Sequence, residues 1–113
     1  MSKTNFKFQR GEVYLVEEHG SQGSEQKKTR PWVLVGASQI NIARSTVVAV
    51  PLSTQAPIKP PISMKVFYNN SHVSAVLDQI RALDKKRFLR FDGALSSHEM
   101  DLIDNGLKQV LAI

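Results

Sequence analysis

The sequence predicts a small, mainly β protein: an antiparallel β-barrel with one amphipathic helix packed on it. Three observations lead there. Short apolar runs alternate with turn-forming residues, a long polar loop ends in Thr29-Arg30-Pro31, and the C-terminus carries a capped helical pattern with one apolar face. The 113 residues make one domain, 1–113, with no room for a second.

Residues 1–9 read as a short flexible tail. Val13-Tyr14-Leu15-Val16 is a first strand, apolar on both faces and therefore central. The loop from Gly20 to Thr29 is too long and polar for a tight turn, and such loops in compact domains are often functional. Trp32 to Ala37 forms a second strand rich in β formers, and Ser38 to Ser45 a connection. Thr46 to Val50 is a third strand, expected to stop at Pro51, which lacks an N–H for the ladder. After a proline-rich loop, Ile62, Met64 and Val66 alternate with polar residues, as in a half-buried strand. Asn69-Asn70-Ser71 supplies a turn. Val73 to Leu83 reads as one long or bent strand, with Asp78, Gln79 and Arg81 as unusual polar interruptions. Asp84 to Arg87 makes a short helical turn, and Phe88 to Ala94 the last strand. Ser96-Ser97-His98-Glu99 has the form of a capping box, with Leu95 and Met100 as its hydrophobic staple. Met100, Ile103, Leu107, Val110 and Leu111 then share one helical face. Gly106 costs this helix about 1 kcal/mol against alanine, so docking on the sheet must hold it.

Composition narrows the chemistry. The chain has no cysteine, which excludes disulfides, thiolate metal sites and cysteine nucleophiles, and suits a cytoplasmic setting. MSKTNFKFQR lacks the apolar region of a secretory signal, and no apolar run reaches the ~18 residues that span a bilayer. No membrane partner is expected. The formal charge of +5 favours an acidic partner. His19, His72 and His98 are scattered, so no metal site is expected, and neither a P-loop nor a glycine-rich dinucleotide fingerprint is present. The cations gather as Lys27-Lys28-Arg30 and Lys85-Lys86-Arg87-Arg90, either an electrostatic track for a nucleic-acid backbone or two solvated faces. Pro31 biases Arg30 towards extended geometry, holding a guanidinium at the boundary of loop and strand. Trp32 is either a core aromatic or a stacking platform for a base.

Four ordered segments resemble the MazF/PemK toxins of bacterial toxin–antitoxin systems. They are Arg10-Gly11-Glu12-Val13-Tyr14-Leu15-Val16; Gly23-Ser24-Glu25-Gln26 leading to Arg30-Pro31-Trp32-Val33-Leu34-Val35; Val48-Ala49-Val50-Pro51-Leu52-Ser53; and Val76 to Arg87, VLDQIRALDKKR. The closing helix from Leu95 is also similar, so the resemblance runs from Arg10 to Leu111.

The resemblance implies the SH3-like barrel fold shared by CcdB, PemK and MazF. It also implies a growth-arresting mRNA interferase, an endoribonuclease that cuts single-stranded RNA at short sequences without a metal or cofactor. In that family the substrate's 2′-OH attacks the adjacent phosphate, leaving 2′,3′-cyclic phosphate and 5′-OH ends. Carried over by position, the catalytic residues are Arg30 and Ser53, the latter where many members have threonine. Glu25 and Asp78 are candidates for the base, or for positioning Arg30. Lys27, Lys28, Thr54, Gln79 and Arg81 are candidate RNA contacts, although Arg81 could instead pair with Asp78 or Asp84. A histidine that some members place at Ser24 is absent. The implied partners are a second copy in a homodimer and an antitoxin whose acidic, disordered tail competes with RNA. The alternative reading is a CcdB-like DNA gyrase inhibitor without nuclease activity. Such inhibitors act through a Trp-Gly-Ile helix end, whereas this chain ends Val110-Leu111-Ala112-Ile113.

Overall fold

A computed structural model of the chain describes residues 5–19 and 27–113; the side chains of His19 and Lys27 also lie outside the description. Among the described residues seven strands and two helices follow one another. They are β1 (Glu12–His19), β2 (Lys27–Leu34), α1 (Ser38–Ala43), β3 (Thr46–Ser53), β4 (Ser63–Tyr68), β5 (Ser71–Val76), β6 (Arg81–Asp84), β7 (Phe88–Ala94) and α2 (Ser97–Leu111). Single 3₁₀ turns, Leu77–Gln79 and Lys85–Arg87, flank β6.

All strand pairs are antiparallel. The strand order is β4-β5-β3-β2-β1-β7, with β6 also on β3. This is the expected mainly antiparallel β fold with a C-terminal helix; among the described residues β4 and β7 share no ladder, so the barrel-like sheet is curled but not closed. The two edges nevertheless meet: the Tyr68 hydroxyl on β4 lies 2.6 Å from Asp92 Oδ2 on β7 and 2.8 Å from its carbonyl oxygen. A side-chain clasp stands where a closed barrel would have ladder bonds.

The central strands are apolar on both faces because the sheet carries two cores. Val13, Val33, Val50, Leu52 and Val66 face α2, where they meet Met100, Ile103 and Leu107. Alternate residues, among them Tyr14, Val16, Trp32, Leu34, Val47 and Phe88, build an aromatic-rich core on the other face. Trp32 is only 2 % exposed and is therefore core. Phe6 belongs to the same cluster, and Phe8 stacks on Tyr14 and packs edge-on to Phe88. Within the segment expected as a tail, Phe6 and Phe8 thus pack on this core, while residues 1–4 lie outside the description.

Pro51 does not end β3. It stands between Thr46–Ala49, which pair with β6, and Leu52–Ser53, which pair with β5, so its missing N–H breaks no bond on that side. The expected strand from Val73 to Leu83 is two strands, broken by the 3₁₀ turn at Asp78-Gln79. Asn69 and Asn70 both have positive φ, 54° and 63°, the conformation of a two-residue type I′ hairpin.

Helix α2 is capped by Ser96, whose side chain accepts from the Glu99 N–H. The reciprocal half of the capping box is absent. Glu99 instead accepts from Phe67 N–H at 2.9 Å, pinning the first helical turn to β4. Gly106 lies where α2 packs tightly on Leu77 and Met64. A Cβ there would lie 2.3 Å from Leu77 Cδ1 and 3.0 Å from Met64 Cγ, and Leu77 is fully buried. Gly106→Ala should gain about 1 kcal/mol of helix propensity yet lose about 1–3 kcal/mol to overpacking. The expected net result is a lower urea midpoint; an unchanged or raised midpoint would show that the interface relaxes freely.

Candidate functional site

Five strands contribute to one cleft of about 350 Å³. Its walls include Thr29, Arg30 and Pro31 from β2, Leu52 to Gln55 at the end of β3, Tyr68, Asn69 and Ser71 where β4 turns into β5, and Asp92 from β7. The register explains the meeting of the first two groups. Strands β2 and β3 pair Leu34 with Ala49 and Trp32 with Pro51, and continuing that direction brings Arg30 alongside Ser53. These two residues, twenty-three apart in sequence, share the cleft because the strand pairing requires it.

Arg30 is held on one flank by its β1 partner Val16, and Pro31 follows it in the strand. Its Nε lies 3.2 Å from Glu18 Oε1, with side-chain exposures of 37 % and 27 %. Glu18 Oε1 is buried and accepts no hydrogen bond among the described residues, so charge attraction alone ties it to the guanidinium. The two Nη groups make no hydrogen bond among the described residues and remain able to grip an anion bidentately. Ser53 Oγ accepts from Gln55 N–H and Ala56 N–H, both at 3.0 Å. Two fixed acceptor contacts orient the hydroxyl and leave its single proton to be donated. The cleft thus holds a cation, a hydroxyl donor and, on β7, a carboxylate.

The other sequence candidates divide. Thr54 lines the cleft, and Lys28 is exposed on β2, opposite Glu18 in the ladder. Glu25 and the Lys27 side chain lie outside the described residues. Asp78, Gln79 and Arg81 are all exposed and do not line this cleft. Arg81 pairs with Ala49, four residues before Ser53 on β3, about 13 Å along the strand. No ion pair of Arg81 with Asp78 or Asp84 forms among the described residues; Asp84 instead accepts from Lys86 N–H at 2.8 Å.

Sequence reasoning missed Glu18, Tyr68 and Asp92. For Glu18 a signal existed: once Val16 stands opposite Arg30, the residue two further along β1 lies diagonal to it on the same face. The meeting of Tyr68 with Asp92 depends on the curl of the whole sheet and has no local signature.

Known proteins share both the sequence pattern and the fold. Residues 9–111 match the pattern of the PemK-like, MazF-like toxins of type II toxin–antitoxin systems. Over 103 residues the chain is 33 % identical to Endoribonuclease MazF of Staphylococcus epidermidis, covering 87 % of this chain and 86 % of that protein. The fold superposes on an endoribonuclease solved in complex with its cognate antitoxin from a Mycobacterial species, with TM-score 0.78 at 24 % identity, covering 93 % of this chain and 95 % of the other. It also superposes on a chain of the MazE–MazF structure (Form II) from Deinococcus radiodurans, with TM-score 0.82 at 16 % identity, covering 96 % and 99 %. At those identities the two structures speak to the fold.

Proposed function

This chain belongs to the PemK-like, MazF-like toxins of type II toxin–antitoxin systems, and on that premise we propose that it is a sequence-specific endoribonuclease of single-stranded RNA, acting in the cytoplasm to arrest growth. The observation that carries the reading is the convergence of Arg30 and Ser53 on one cleft, the two positions onto which the resemblance carries the family's catalytic residues.

In the proposed reaction the 2′-OH loses its proton and its oxygen attacks the neighbouring phosphorus. The P–O5′ bond breaks, and a proton passes to the departing 5′ oxygen. The products are a 2′,3′-cyclic phosphate and a 5′-OH. Negative charge grows on the non-bridging oxygens, where the Arg30 fork and the Ser53 hydroxyl act as preorganised donors. The guanidinium carries its charge throughout and has no acceptor site, so its role is charge stabilisation rather than base catalysis. The nucleophile belongs to the substrate, so the scheme calls for no metal or cofactor. Of the two carboxylates proposed beside Arg30, Asp78 stands away from this cleft and Glu25 lies outside the described residues, while Glu18 holds the guanidinium directly. Lys28 and Thr54 are assigned to RNA near the cut. Gln79 and Arg81 are assigned to a groove that continues across a homodimer, which an antitoxin with an acidic tail would occupy in competition with RNA.

A single 2′-deoxy nucleotide placed 5′ of the cut tests the scheme. It should abolish cleavage there and leave binding intact; continued cleavage would exclude attack by the 2′-OH. Glu18→Gln keeps the side chain's size but removes the charge that orients Arg30. Single-turnover cleavage should slow roughly tenfold, short of the ~10²-fold that a 1 Å misplacement can cost. Glu18→Asp should recover part of the loss. A Glu18→Gln rate equal to wild type would show that Arg30 is placed by its strand alone.

A further inference from the structure

Tyr68 and Asp92 line the cleft from the two edge strands, and the reaction above gives them no part. They are built as a unit. Tyr68 is 9 % exposed, and its hydroxyl proton goes to Asp92 Oδ2 at 2.6 Å, with the Asp92 carbonyl oxygen a second acceptor at 2.8 Å. Burial, and then the hydrogen bond to Asp92, raise the phenol's pKa above its ordinary value, so it remains a donor at neutral pH. Gly93, at φ +146°, makes room for the ring: a Cβ there would lie 3.1 Å from Tyr68 Oη. Arg90 reaches Asp92 Oδ1 only at 3.9 Å and is 64 % exposed, a weak, solvent-screened contact. Among the described residues the carboxylate is therefore fixed by one hydrogen-bond donor, which leaves further acceptor positions on both oxygens without a close partner there.

A fixed anion in a cleft that also holds Arg30 divides the work. Phosphate is drawn to the guanidinium and repelled by Asp92, so the group that meets Asp92 is a neutral donor, as a base edge supplies. A carboxylate can only accept. On the Watson–Crick edge, which is exposed in single-stranded RNA, guanine alone offers two adjacent donors, N1–H and N2–H. Adenine and cytosine place a ring acceptor beside the amino group, and uracil flanks its one N–H with carbonyls.

We propose that Asp92, held in place by Tyr68, selects a guanine at a fixed position beside the scissile phosphate. The inference deepens the endoribonuclease reading and rests on it. The test is to incubate the wild-type protein with a random-sequence single-stranded RNA, sequence the fragment ends, and repeat with Asp92→Asn and Tyr68→Phe. The wild type should show guanine at one fixed position near the cut. The amide introduced by Asp92→Asn offers one acceptor and one donor, so that variant should lose guanine preference by about tenfold or more, the scale of a bidentate base contact; Tyr68→Phe should lose part of it. Replacing that guanine with inosine, which lacks the N2 amino group, should slow the wild-type enzyme about tenfold with no change to the protein at all, again on the scale of one lost base contact. Cleavage without a fixed guanine, or an inosine substrate cut as fast as the guanine one, would overturn the assignment and leave the nuclease reading standing. Absence of any cleavage by the wild type would overturn both.

Discussion

Arg30→Ala should reduce RNA cleavage by at least ~10²–10³-fold while leaving the fold intact. That range is the usual cost of deleting one preorganised donor to a developing oxyanion, and Arg30 can supply two from its fork. The side chain is more than a third exposed and packs in neither core, so its loss removes an ion pair with Glu18 and little else from the folded state. Thermal unfolding should therefore be nearly unchanged, which separates a chemical defect from a structural one. Arg30→Lys keeps the charge but not the planar fork, and it should recover only a small part of the rate. Glu18 would then face an ammonium with no Nε to hold. Near-wild-type cleavage by Arg30→Lys would mean that a point charge suffices and that bidentate grip contributes nothing.

Phe88→Ala should be the most destabilising of the substitutions considered, costing about 3–5 kcal/mol from a total that is typically about 5–15 kcal/mol for a domain. Phe88 is fully buried, with ring centroids 5.4 Å from Phe8 and 5.3 Å from Tyr14, both edge-on. Such pairs contribute beyond their buried area. Removing the central ring should also free Phe8, over which the Lys85 ammonium sits at 4.5 Å. The loss should appear in urea unfolding at fixed protein concentration, since association would shift the midpoint by mass action. A loss below about 1 kcal/mol would show that Phe6 and Phe8 collapse into the space, which the cavity term in such substitutions does not anticipate.

The elements legible in the sequence are those whose side chains obey one period. Helix α2 carries its own cap at Ser96 and its own apolar face, and β1 reveals its central place because both faces of Val13–Val16 are apolar. The features that differ from expectation depend on partners. Pro51 ends an isolated strand, but in β3 it falls where the neighbouring strand changes from β6 to β5. Phe6 and Phe8 sit in a polar, basic context that resembles a tail until Tyr14 and Phe88 offer rings to meet them. The site divides in the same way. Arg30 and Ser53 could be identified from local motifs and a family resemblance, whereas Glu18 is fixed by cross-strand register and the Tyr68–Asp92 clasp by the curl of the sheet.

The most direct test of the proposed activity is to incubate the purified protein with single-stranded RNA in EDTA, beside Arg30→Ala, and identify the fragment ends chemically. The wild type should cleave at a recurring short sequence, leaving 2′,3′-cyclic phosphate and 5′-OH ends, and the variant should not. Ends bearing 3′-OH and 5′-phosphate, or equal cleavage by Arg30→Ala, would contradict the proposed chemistry.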